Sequence, residues 1–162
     1  MQYTVRKATC EDLPRIVQMY ADARKFMAET GNPNQWGKTT PQTSLLEDDI
    51  EKGLLFVQTH EDIIHGVFYF FIGPDPTYGV TEDGQWRSDT PYGTIHRIAG
   101  DGTGGTLGTA VAFAKEQINH IRIDTHEDNK IMQRAIAKQG FHRCGIIHLA
   151  NGSPRIAYAL LT

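Results

Sequence analysis

The spacing of apolar side chains changes period along this chain, and each change marks an element boundary. Residues 2–7 (QYTVRK) alternate and predict a short strand. Thr9-Cys10-Glu11-Asp12 has the spacing of a capping box, with Asp in the usual Glu position, and Pro14 falls where a helix start tolerates it. Leu13, Ile16, Val17, Tyr20, Ala23 and Met27 then recur at helical intervals until Gly31-Asn32-Pro33-Asn34 ends the helix. A second, short helix is expected over 44–52, closed by Gly53. Two apolar runs, 54–59 and 63–72, joined by His60-Glu61-Asp62, predict a hairpin. Because VFYFFI at 67–72 is continuous rather than alternating, that strand is expected to be central and covered on both faces.

Residues 73–91 are rich in Gly, Pro and Asp and read as a long loop, a kind of segment that is usually functional or mobile. A strand over 92–99 (YGTIHRIA) leads into GDGTGGTLG at 100–108. A helix striped by Leu107, Ala110, Val111, Ala114 and Ile118 follows, then a strand over 121–125. That β-loop-α-β unit makes its two strands parallel. A helix over 128–139, with Ile131, Met132, Ala135 and Ile136 inward, stops at Gly140. Strands over 141–150 and 155–161 close the chain as a hairpin about Asn151-Gly152. The expected order is β-α-α-β-β-β-α-β-α-β-β. The fold class is α/β in a single domain over 1–162: a mixed, largely antiparallel sheet with one central parallel pair and helices on both faces.

Composition narrows the function classes. The chain has 162 residues, enough for one core without metal or disulfide staples, and a net charge of -3 with no basic run, which argues against nucleic acid as a partner. Its two cysteines, Cys10 and Cys144, read as reduced thiols, and Cys144 as a small buried hydrophobe rather than a nucleophile. There is no apolar leader and no apolar stretch of about 18 residues, so a cytoplasmic protein without a membrane partner is expected. The seven histidines include no helical pair and no cysteine at zinc spacing, so no metal is expected.

The Gly-rich segment carries the most chemistry. Glycines at 100, 102, 104 and 105 allow positive φ and close approach of a ligand to the main chain. The first amides of the following helix have no internal acceptor and, with the helix dipole, favour phosphate oxygens. Strand, Gly-rich loop and helix in this order make a pyrophosphate site. The string Gly100-Asp101-Gly102-Thr103-Gly104-Gly105 also matches the dinucleotide fingerprint GxGxxG, with Asp124 placed downstream as a ribose-binding acid. Against that stand the helix and hairpin segments that precede it, the single parallel crossover, and a third glycine that falls in the loop rather than in the helix.

Along nearly its whole length the chain resembles the GNAT acyltransferases. VRKATCEDLPRI is similar to the family's opening R-x-A-x-x-x-D-L-x-x-I. Thr103-Gly104-Gly105-Thr106-Leu107-Gly108 aligns with the coenzyme motif Q/R-x-x-G-x-G/A and keeps its last glycine, with Thr103 at the leading position and Thr106 at the middle glycine. IRIDTHEDNKIMQRAIAKQGF at 121–141 resembles the family's strand–Asn–helix–Gly-Phe block, matching at Asn129 and Gly140-Phe141. Many members carry a general-acid tyrosine five residues before that Phe, where this chain has Ile136. The resemblance implies acetyl-CoA as cosubstrate and direct attack of a primary amine on its thioester. The acceptor would be a small molecule, an amino acid or a peptide. Arg97, Ile98 and Ala99 are the expected backbone contacts to the coenzyme arm, with Thr103, Gly104, Gly105, Thr106, Leu107, Gly108, Thr109 and Asn129 completing its site. Family members often form dimers, so a homodimer is a further expectation.

Such chemistry needs a base for the amine, a donor for the oxyanion and a proton for the thiolate. On the strand before the loop, Tyr92, Thr94, His96 and Ile98 share a face by period two. His96 is the first candidate base, since imidazole titrates near neutrality; His126, near Asn129, and Tyr92 are further catalytic candidates. Trp36, Tyr78 and Trp86 are expected to line the acceptor pocket. Two other readings stand beside transfer: a CoA- or nucleotide-binding module without catalysis, and a dinucleotide-dependent oxidoreductase.

Overall fold

The structure is a computed structural model and describes residues 2–162. It has seven strands, β1 (Thr4–Lys7), β2 (Leu55–His60), β3 (Ile63–Ile72), β4 (Gly93–Gly100), β5 (His120–Thr125), β6 (His142–His148) and β7 (Pro154–Leu161). Its four α-helices are α1 (Leu13–Glu29), α2 (Thr43–Glu51), α3 (Thr106–Lys115) and α4 (Lys130–Lys138). The strands form one sheet in the order β1-β2-β3-β4-β5-β7-β6, antiparallel throughout except for the central β4–β5 pair. This is the mixed sheet that the periodicity predicts.

Local chemistry explains the boundaries. Asp12 accepts the Thr9 amide at 2.7 Å, and a 3-10 turn over Cys10–Asp12 leads into α1. Glu61 and Asp62 both take positive φ, as the two-residue turn between β2 and β3 requires. Asn129 caps α4 by accepting the Met132 amide, so that helix starts at Lys130 rather than at 128.

Alternation sorts the core onto the two faces. Phe56, Phe68, Phe70, Ile95, Ile121 and Ile123 face α3 and α4, where Leu107, Val111 and Ile136 meet them. Leu55, Val57 and Val67 face the other way, against Ile16, Met19, Tyr20 and Leu46 of α1 and α2. Two expectations change. Phe71 and Ile72 end β3 at 36% and 45% exposure, so only the first part of VFYFFI is sandwiched. Ile131 is 45% exposed, because α4 meets the core through Met132, Ala135 and Ile136.

Among the described residues no α-helix joins the cluster at the β5–β7–β6 end of the α1/α2 face. The 73–91 loop does so, with Tyr78 and Trp86 packed on Ile147 and Ala157. The loop is fastened rather than loose. Glu82 and Ile146 exchange main-chain hydrogen bonds of 2.8 and 2.7 Å, and a Cβ on Gly145 would lie 2.6 Å from the Glu82 carbonyl. The buried Arg122 guanidinium lies 3.8 Å from the Trp86 ring centroid and 3.9 Å from that of Tyr92, and donates to the Ser88 carbonyl. Among the described residues no helix is long and apolar enough to cross a membrane.

Candidate active site

The parallel strands β4 and β5 pair only at Gly93–Ile121 and Thr94–Arg122 and then part. Past that point the β5-side edge of β4 has no strand partner, and a cavity of about 480 Å³ opens there. His96, Arg97 and Ile98 border it from β4, and Ile123, Asp124 and Thr125 from β5. A bulge in β4 lets consecutive residues do this. Val67–Tyr69 of β3 spans two steps where Ala99–His96 spans three, and Arg97 takes φ +52°. The bulge corrects the simple alternation: Ile98 joins Ile95 on the α3 side, while His96 stays on the loop side and Ala99 is buried against α1 and α2. Left-handed backbone at a non-glycine costs of order 1 kcal/mol and needs support. Tyr20 donates to the Arg97 carbonyl at 2.6 Å, the Arg97 guanidinium pairs with Asp49 of α2, and it also lies over the Tyr69 ring.

His96 sits between two carboxylates. Its Nε2 is 2.9 Å from Asp75 Oδ2, and its Nδ1 is 3.7 Å from Asp124 Oδ2. Asp75 is itself held: its amide donates to the Tyr92 hydroxyl at 2.8 Å, and its Oδ1 accepts from the Thr77 amide and hydroxyl. Burial pushes the Asp75 carboxyl up, but the hydrogen bonds from His96 and Thr77 and the charge of His96 outweigh this and hold it at about 2. Tyr78 is buried and donates to Asp124 at 2.5 Å; burial and the neighbouring Asp124 charge raise its phenol well above the usual range, so it keeps its proton.

The candidates drawn from the sequence divide sharply. Trp36 borders the cavity with its ring against Tyr20, and Asn129 borders it too, its amide donating to Gln35 at 2.9 Å. Tyr78, Trp86 and Tyr92 do not border it. They build the loop layer that carries Asp75, and they face a second, open cavity with Arg122. His126 also lies outside the cavity, its Nδ1 accepting the Asp128 amide in the turn before α4. Ile136 is fully buried in the core, so no hydroxyl stands there. Cys144 is buried, with its thiol toward the His142 carbonyl, while Cys10 is exposed.

The Gly-rich segment leaves the end of β4. Gly102, Gly104 and Gly105 have φ of 94°, 90° and 79°, and a Cβ on Gly102 or Gly104 would meet nothing within 4 Å. The loop thus presents bare main chain to open space. Among the described residues the amides of Gly104 and Gly105 make no hydrogen bond, and those of Thr106, Leu107 and Gly108 begin α3 without an internal acceptor. Thr103 differs: its amide and hydroxyl are both taken by Asp101. Thr106 and Thr109 turn their side chains inward. The Thr106 hydroxyl donates to Gln58 Oε1 at 2.8 Å, and Gln58 Nε2 donates to the Thr109 hydroxyl at 3.1 Å. The main chain of Gly104–Gly108 is thus left open at a helix N-terminus, an arrangement that favours anions.

Asp75, Asp49, Gln58 and Arg155 carry no local signal in the sequence, each being brought in from a distant element. Asp124, whose position in the sequence suits a ribose-binding acid, is engaged by Tyr78 and stands beside His96. With that and a single parallel pair, the dinucleotide-dependent oxidoreductase reading falls. Among the described residues, no three His, Cys, Asp or Glu side chains come together as a metal site needs.

No family model and no curated protein matches the chain. Solved structures do. A GNAT-family acetyltransferase from Streptococcus agalactiae 2603 superposes with a TM-score of 0.88 at 27% identity, over 99% of this chain and 95% of that one. Another, from Listeria monocytogenes 4b F2365, gives 0.72 at 22% identity over 99% and 95%. More distant in sequence is a chain of the NatC complex bound to Gag peptide and CoA, at 0.62 and 13% identity over 100% and 99%. The chain has the GNAT fold, and its structural neighbours over its full length are GNAT-family acetyltransferases.

Proposed function

We propose that the chain transfers the acetyl group of acetyl-CoA to a primary amine by direct attack. The observation that carries this reading is His96, held between Asp75 and Asp124 where β4 and β5 part. The neighbouring GNAT acetyltransferases support it, as does the CoA bound in the NatC complex. Acetyl-CoA supplies the activated acyl group as a thioester. The main chain of Gly104–Gly108 binds the pyrophosphate, and the parted strands receive the arm that reaches from it.

His96 is the base. Asp75 orients the ring through Nε2, and Nδ1 faces the cavity on the Asp124 side. Two protons leave the amine nitrogen as the N–C bond forms and the C–S bond breaks. His96 takes the proton whose loss exposes the lone pair. The other is lost to solvent, and the departing sulfur takes its proton from solvent, since Ile136 offers no hydroxyl. The free main-chain edge of β4 about Ile98 faces the charge that develops on the carbonyl oxygen.

The test mixes protein, acetyl-CoA and a panel of primary amines and follows free thiol. Amine-dependent thiol release, lost in His96→Ala, is the expected result. Tight acetyl-CoA binding with no thiol release from any amine would instead favour the second reading, a CoA-binding module without catalysis. That reading draws on the burial of Ile136 and the inward turn of Thr106.

A further inference from the structure

Arg155 of β7 borders the same cavity as His96 and is 5% exposed. Its guanidinium makes three hydrogen bonds, all to uncharged oxygens. Nη1 donates to Ser153 Oγ at 2.5 Å and to the Pro154 carbonyl at 2.9 Å, and Nη2 donates to the Gln35 carbonyl at 2.9 Å. That leaves Nε–H and one Nη2–H, on neighbouring nitrogens, without an acceptor. Among the described residues no carboxylate lies within 4.0 Å of it. The other cations of the cavity are served: Arg97 by Asp49, and Lys52 by Asp48. Asp124 acts on the Arg155 charge only from beyond hydrogen-bond range, and its Oδ2 accepts from Tyr78.

A buried cation with no carboxylate in contact is costly, and a carboxylate gripped by two guanidinium donors offsets that cost. Elsewhere in the cavity the charge is reversed: Asp75 and Asp124 flank His96 and draw an ammonium. The cavity therefore has one wall for a cation and one for an anion. We infer that the acceptor is a free amino acid, its carboxylate held by Arg155 and its amine delivered to His96. This rests on the transferase reading and narrows it. The first residue of a peptide has an amide where the free amino acid has its carboxylate, so peptide N-termini are poor acceptors.

The experiment compares kcat/KM of the wild-type protein for L-amino acids with that for their α-amides, with acetyl-CoA saturating. At least one amino acid is expected to exceed its amide by about 100-fold or more, since a site built around a buried polar group rejects the analogue that leaves it unpaired. Arg155→Met is expected to bring the amino acid down to the level of the amide, with the Kd for acetyl-CoA, measured by calorimetry, within about twofold of wild type. Arg155 also ties down Gln35, so that variant can fail to fold; the wild-type comparison decides without it. Equal rates for acid and amide, preference for the amide, or no turnover of any carboxylate-bearing amine despite acetyl-CoA binding would each overturn the inference. Absence of acetyl-CoA binding would overturn the transferase reading, and this inference with it.

Discussion

The Gly-rich loop and the His96 cavity begin on the same strand and are built by opposite means. The loop works by lacking side chains: Gly102 and Gly104 face open space, and its threonines turn inward to Gln58 and Asp101. The cavity works through side chains from five places in the chain, at Asp49, Asp75, His96, Asp124 and Arg155. The first is a main-chain device suited to binding. The second is a charged constellation suited to moving a proton and choosing an acceptor. If the division holds, substitutions in one region change affinity for the coenzyme, and those in the other change turnover.

The largest expected effect is from His96→Ala. Loss of a general base lowers kcat by about 10²–10⁴-fold. The Kd for acetyl-CoA should hold within about twofold; steady-state kinetics beside calorimetry measures both. A matching loss of affinity would show that the two regions are not separable. Gly108→Trp should act in reverse. A Cβ at 108 would sit 3.4 Å from Gln139, so an indole must crowd the space between α3 and α4 where the helix amides open. Acetyl-CoA affinity is expected to fall by about 100-fold or more, read by the same titration, with the fold intact by circular dichroism.

Asp75→Asn sharpens the account of the cavity. The wild-type carboxyl sits at about 2, below the ordinary carboxylate value. Its contribution to stability is therefore full above about pH 4 and is lost as pH falls through 2. That contribution is on the order of 2 kcal/mol. Urea denaturation should show the variant less stable by about that amount at pH 7, with the gap closing between pH 4 and 2. A gap independent of pH would mean that the charge on Asp75 is not what His96 and Thr77 stabilise. Gln58→Leu has the smallest expected effect, about 1.5 kcal/mol of stability, because the buried Thr106 hydroxyl loses its acceptor. Unchanged stability in the same denaturation would show that this link does not hold the start of α3.

The same contrast explains what could be read in the chain. The Gly-rich loop, the strands and the helices follow local rules, because period, turn residues and caps act over a few neighbours. Gly140 as a stop is of this kind, while the cap at Asn129, the second residue of the expected helix, was not read. His96 was visible because it lies on the strand that feeds the loop. The bulge at Arg97 was not, since it depends on Tyr20 and Asp49, each many residues away. Asp75 sits in a loop with no local pattern, and it gains its role only when Tyr92 and Thr77 fix it beside His96. Tyr78 and Trp86, expected at the acceptor pocket, and Tyr92, a catalytic candidate, pack together in the loop layer beside the second cavity, a placement that long-range packing decides. Arg155 has a plain sequence context, and only its burial without a carboxylate partner marks it.

The most direct test of the central claim is calorimetric titration of the wild-type protein with acetyl-CoA, with NAD as the control. The expected result is saturable binding of acetyl-CoA and none of NAD. Binding of NAD alone, or of neither, would contradict the assignment of Gly104–Gly108 as the seat of the coenzyme's pyrophosphate, and with it the use of the β4–β5 cleft for acetyl transfer.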